Sequence, residues 1–349
     1  MLALVLQEFG RMAVEERPDP EAGPGEVLIA VVATGICGSD LHGFTGENGR
    51  RQPGQVMGHE SVGTVAALGP GTEGAGLAVG DPVTFNPVVI PEGAAEEYTG
   101  REQMCPDKYV IGVAPGVVAS FAQLVAVPAR NVVALPSEMP IEHGALVEPL
   151  AVAVHAVARA GVRPGDAVFV VGAGPIGQSV VLALQMAGAG AVVVSDVDAG
   201  RRHVVERLGA RPLDPAAGDV AEQVRAAFGR PADVSIDAVG LERTVADALG
   251  ATKLGGVVCL VGMGSPKLTL DAYRISVDEH ALVGSFTYSA ADFATAAAWM
   301  GTAPPETAAL ISRSVSLAEG PAAFAALARG DGTPGKVLVR LDSEEDGVS

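Results

Sequence analysis

Cysteine is scarce in this chain. Three stand among 349 residues, Cys37, Cys105 and Cys259. They suggest no disulfide framework, so a reducing compartment is expected. Basic charge is also in short supply: 23 Lys and Arg against 41 Asp and Glu leave a net charge of −18. That balance argues against nucleic-acid phosphates as a partner and for a soluble chain. Long apolar runs are missing, because Gly, Pro or a charge breaks each one before it reaches membrane-spanning length. The apolar start, residues 1–6, has no basic flank and is cut off by Gln7 and Glu8. It reads as a first strand and not as a signal peptide. Repeats and low-complexity segments are absent. The expected setting is cytoplasmic, with no membrane and no nucleic acid.

Hydrophobic residues make up 48% of the chain and charged residues 18%, the balance of a globular protein. Its length accommodates two domains with sizeable cores. Residues 1–85 read as short strands punctuated by Gly and Pro, a compact β-rich domain. Residues 86–109, with Glu92, Glu96, Glu97 and Glu102, read as an acidic loop without strands. An Ala-rich helix is expected from Val147 to Gly161, and alternating strands and helices follow to about residue 285. The fold class is therefore α/β, with a doubly wound parallel sheet. Helices are expected at 290–300 and 320–329, a final strand at 336–341, and a frayed end at 342–349.

The most informative stretch is 168–177, where a β-branched run enters Gly172-Ala173-Gly174-Pro175-Ile176-Gly177. A helical stretch follows, then a second apolar run that ends on Asp196. Gly172 permits the tight turn, Gly174 lets a pyrophosphate approach the backbone, and Gly177 lets the helix pack closely. The helix N-terminus, at Pro175 and Ile176, offers free N–H groups to the phosphates. Asp196 stands where an acid accepts from the adenosine ribose hydroxyls, which favours NAD over NADP. Arg201 and Arg202 nearby temper that preference.

A second set of residues has metal-ligand chemistry. Cys37-Gly38-Ser39-Asp40-Leu41-His42 is followed by Gly58-His59-Glu60 and later by Glu148-Pro149. A thiolate, an imidazole and one or two carboxylates suit Zn²⁺. From spacing alone the question stays open, since a lone Cys in a turn is more often inert. Asp40 reads equally as a partner behind a ligand and as a turn acid capping backbone N–H groups.

These blocks, with residues 148–155 and the glycine turn, resemble the zinc-dependent medium-chain dehydrogenases. They are most similar to the branch that holds sorbitol, 2,3-butanediol and threonine dehydrogenases. The resemblance covers nearly the whole chain. It implies a GroES-like catalytic domain at 1–145, completed by 286–349, around a Rossmann NAD-binding domain at 146–285. It implies one catalytic zinc on Cys37, His59 and a carboxylate, Glu60 or Glu148. Both acids are counted with the catalytic residues, and Glu148 is the less certain direct ligand. Ser39 would take the hydroxyl proton of an alcohol substrate, and His42 would pass it to solvent. The cofactor would rest on Gly172, Gly174, Pro175, Ile176, Gly177, Asp196 and Arg201. A homo-oligomer, dimer or tetramer, is implied, with Val257–Met263 as a candidate subunit contact. The competing readings are a zinc-free quinone or enone reductase of the same superfamily and a non-catalytic nucleotide sensor.

The chain also departs from that family. Counting back from Cys105 through the structural-zinc spacing reaches Pro91, Ala94 and Glu97, so no second, structural zinc is expected. Thr287-Tyr288 replaces the Arg-Tyr pair of sorbitol dehydrogenase-like relatives, and Gly43 stands where those relatives can carry an aromatic residue. A smaller or less hydroxylated secondary alcohol, a vicinal diol or an amino alcohol, is expected, and Phe44, Phe121 and Tyr288 read equally as pocket walls and as core. His155 and Cys259 are expected to be packing residues.

Overall fold

The side chains of Glu26–Gly35 alternate between inside and outside, burying Val27, Ile29, Val31 and Ala33. In the computed structural model, which describes residues 1–47 and 49–341, this strand is the hub of a seven-stranded sheet. Glu60–Leu68 pairs antiparallel along one side of it. Along the other, Leu124–Pro128 takes its first half and Lys336–Arg340 its last three residues. Ile311–Ser316 continues the sheet beyond the C-terminal strand, and Pro82–Phe85 and Val132–Ala134 continue it beyond Glu60–Leu68. The inward side chains meet Leu4, Leu6, Phe85 and Phe324 in one core. Burying each such side chain contributes roughly 1.5–3 kcal/mol.

Contacts divide the chain into two units, residues 1–148 with the stretch from Ser289 onward, and Pro149–Tyr288. One reading changes in the first unit, and one left open is decided. The acidic segment is not strandless, since Val88–Val89 pairs with Tyr109–Val110 at its base. Asn131 secures that base by donating from Nδ2 to the carbonyls of Asn86 and Val88, at 2.7 and 2.9 Å. Phe44 and Phe121, left open between pocket wall and core, are core: both pack on Phe324, with ring centroids 5.8 and 5.3 Å away. Cys105 is fully buried.

The second unit is a six-stranded, all-parallel sheet. Its strand order is Arg211–Leu213, Val192–Ser195, Val168–Val171, Ala232–Asp237, Thr252–Leu260 and Ala281–Gly284. Val168–Val171 and Ala232–Asp237 are buried on both faces, as expected where helices cover a parallel sheet on each side. The chain runs outward from Val168–Val171 in one direction and then returns to its other side. That reversal is the switch point where such sheets bind ligands. Cys259 lies in the core, where burial pushes its thiol up to about 12.

Thr252–Leu260 is paired on both sides. Of the segment 257–263 offered as a subunit contact, 257–260 lies in this internal strand, and the edges of the sheet are Arg211–Leu213 and Ala281–Gly284. One helical stretch, Ile141–Arg159, is long and apolar enough to cross a membrane by length and composition, and 72% of it is buried inside the protein. Tyr288 and His155 are buried, and the frayed end expected at 342–349 lies outside the described residues.

Candidate metal centre and nucleotide turn

The register of the first sheet assembles the candidate metal centre. Gly35, at the end of the hub strand, faces Glu60, at the start of its antiparallel neighbour. Cys37 lies two residues past one and His59 one residue before the other. The ligand atoms of Cys37, His59 and Glu60 lie within 4.8 Å of one another. These are the only three such residues grouped this way among the described residues.

The C-terminal strand adds a residue that the sequence reading missed. Leu338 pairs with Gly35, and this register delivers Lys336 to the same place. Lys336 Nζ donates to Glu60 Oε1 at 2.7 Å, with both side chains buried. Burial alone would lower the lysine's pKa, but Glu60, Cys37 and Glu148 hold it above the usual value. A Cβ on Gly35 would overlap Glu60 Oε2, so glycine makes the room for this carboxylate. Oε2 is buried and has no hydrogen-bond partner. An orphaned carboxylate oxygen beside a thiol and an imidazole is the donor set expected for zinc. The residues present therefore fit the metal.

His59 is oriented from behind. Its Nδ1 lies 3.5 Å from Asp40 Oδ1, and its Nε2 lies 3.5 Å from Ser39 Oγ. Burial alone would lower its pKa, but Asp40 and Cys37 hold it well above the usual histidine value. Asp40 fills both roles offered for it, because its Oδ2 accepts from the Cys37 N–H at 3.2 Å. Burial would raise its carboxyl, and His59 and Arg51 together hold it below the usual range. His42 is exposed on the helix Gly38–Thr45. Glu148 is buried near the start of the helix Val147–Arg159, outside the three-residue group. Its charge is felt by Lys336.

In the second unit the glycine turn has the geometry its residues imply. Gly172 has φ +94°. A Cβ on Gly177 would overlap the Gly172 carbonyl oxygen, whereas one on Gly174 would meet only Arg201 Nη1, at 3.9 Å. Gly174 is therefore the open point of the turn. Pro175 opens the helix Pro175–Met186, where its missing N–H costs nothing. Asp196 accepts from the Ala173 N–H and the Asp198 N–H, both at 2.8 Å, and Arg201 stands 3.9 Å away. The acid thus also braces the turn.

A thiolate–imidazole–carboxylate set, in a chain that also carries a dinucleotide turn at a switch point, defines a metal-dependent oxidoreductase linked to a nucleotide. Residues 23–137 match the alcohol dehydrogenase GroES-like domain, and residues 175–302 match the zinc-binding dehydrogenase domain. A sorbitol dehydrogenase of Gallus gallus is 35% identical over 82% of each chain. A probable D-xylulose reductase A of Arthroderma otae is 32% identical over 95% of each. The structure of 2R,3R-butanediol dehydrogenase from Bacillus subtilis superposes with TM-score 0.87 at 28% identity, covering 98% of this chain and 99% of that one. A putative zinc-binding dehydrogenase from Sinorhizobium meliloti, bound to NADP, gives 0.86 at 31%, covering 97% and 98%. The chain belongs to the zinc-dependent alcohol dehydrogenase family, the medium-chain dehydrogenases, and combines its GroES-like and Rossmann-type folds.

Proposed function

We propose that the protein is a zinc-dependent, NAD-linked dehydrogenase that interconverts a secondary alcohol of a vicinal diol or polyol with its ketone. The observation that supports this most is the buried group of Cys37, His59 and Glu60, with Glu60 Oε2 orphaned among them. The named relatives act on compounds of this kind. A zinc-free reductase has no use for such a group.

Cys37, His59 and the free oxygen of Glu60 would hold the metal, with Lys336 keeping the other oxygen occupied. A bound zinc would supply the acidity of the substrate hydroxyl, and a bound NAD would supply the hydride acceptor for the carbinol carbon. Ser39 Oγ would accept the hydroxyl proton while passing its own proton outward, and exposed His42 would hand a proton on to solvent. Glu148 keeps a place near Lys336 as an alternative carboxylate. Gly172, Gly174, Pro175, Ile176 and Gly177 seat the pyrophosphate at the helix N-terminus, and Asp196 disfavours a 2′-phosphate.

The test is a substrate panel of secondary alcohols, vicinal diols, polyols and amino alcohols with NAD and NADP, run on wild type, C37S and D196A. Wild type is expected to oxidise a diol or polyol with NAD. C37S is expected to lose about a thousandfold or more of that rate, the equivalent of several kcal/mol of metal assistance. D196A is expected to narrow the preference for NAD. Full activity in C37S overturns the zinc role, and unchanged cofactor discrimination in D196A overturns that of Asp196. A cytoplasmic homo-oligomer completes the proposal, and a monomer in sedimentation equilibrium would refute the assembly.

A further inference from the structure

We propose that Gly43 and Arg51 act as one unit that positions His59 for its metal, an inference that rests on the zinc reading of that site. Arg51 is 3% exposed. Its Nη2 lies 3.4 Å from Asp40 Oδ1, the oxygen that faces His59 Nδ1 at 3.5 Å. The second oxygen of Asp40 holds the backbone N–H of Cys37. One fully buried carboxylate therefore touches two of the three ligand residues, and Arg51 is the cation in contact with it. With His59 neutral on a metal, the buried acid would without that cation be uncompensated and free to turn away. Aimed as it is, it favours the proton on Nδ1 and leaves Nε2 with a lone pair for a metal.

Gly43 is the condition for this arrangement. It lies inside the helix Gly38–Thr45, where glycine costs up to about 1 kcal/mol relative to alanine. Its φ is not positive, so the backbone does not require glycine. The space does: a Cβ there would overlap Arg51 Cγ and would come within 3.3 Å of Arg51 Nε. Any other residue at 43 occupies the path of the arginine. The Arg51 Nε is itself buried without a partner, so Arg51 is held in this place at some cost, for its contact with Asp40. The missing side chain at 43 and the buried cation at 51 are two halves of one feature.

The test is the zinc affinity of the full chain, by chelator competition at fixed pH, for wild type, R51M, G43A and the double variant. Unfolding midpoints of the zinc-free proteins are measured alongside. R51M is expected to bind zinc about tenfold more weakly, the scale seen when partners behind a metal ligand are removed. G43A is expected to weaken binding in the same direction, and the double variant to bind no more weakly than R51M alone. Wild-type affinity in R51M, even with a lowered unfolding midpoint, overturns the proposal, as does a G43A loss that adds in full to that of R51M. Should R51M fail to fold, G43A decides, since it keeps every charge: wild-type affinity there overturns the proposal. A wild-type chain that binds no zinc overturns the site reading itself and this inference with it.

Discussion

Glu60 has one oxygen paired and one unpaired. Its Oε1 is taken by Lys336, a buried cation 276 residues away in sequence, and its Oε2 is buried without a hydrogen-bond partner. A buried pair of this kind adds little net stability, but removing one member leaves an uncompensated charge that costs about 3–5 kcal/mol. K336M is therefore expected to destabilise the zinc-free protein by that amount in urea, and E60Q/K336M to recover much of it. A loss below about 1 kcal/mol in K336M would show that Glu60 does not depend on this lysine. At this scale the candidate ligands were legible in the sequence, because Cys37, His59 and Glu60 carry metal chemistry in their side chains. Lys336 and Arg51 were not, because a Lys opening an apolar strand and an Arg in a polar loop look solvated until the fold buries them. The one trace was Gly43, whose missing side chain was visible but whose neighbour was not.

At the scale of elements, register does the assembling. The pairings Gly35 with Glu60 and Leu338 with Gly35 bring three distant segments to one end of a sheet. Strand-to-helix alternation and the glycine turn made the second unit readable from sequence. The internal place of 257–260 was not legible, because a β-branched run looks the same at the edge of a sheet as inside it. The pair Val88–Val89 and Tyr109–Val110 escaped notice because two-residue strands show no period. A further element-scale anchor is Asp233, in the strand Ala232–Asp237. It accepts from Arg230, Lys253 Nζ and the Ala167 N–H, and chiefly the Arg230 hydrogen bond holds its carboxyl far below the usual range. The folded pKa lies below the unfolded value, so its stabilisation is complete above about pH 4 and fades as the pH falls further. D233N is expected to cost about 1.5–3 kcal/mol at pH 7, with the deficit shrinking below pH 4. A deficit that stays constant down to pH 2 would contradict this origin.

For the whole molecule, the sequence supports one catalytic metal and not two. Cys105 has Pro91, Ala94 and Glu97 at the positions where a structural-zinc loop would carry its other cysteines. Cys37, His59 and Glu60 form one candidate metal group. The broad plan was readable because each unit carries its own local signature: Gly/Pro-punctuated strands in one, the strand–turn–helix in the other. Substrate identity was less readable, because Phe44 and Phe121, which from sequence could be pocket wall or core, are core. The most direct test of the account is zinc content measured against activity. The purified chain is stripped with chelator and titrated with zinc, while NAD-dependent oxidation of a vicinal diol is followed. The account predicts loss of oxidation in the stripped protein and full recovery at one zinc per chain. Undiminished oxidation by metal-free protein would contradict it.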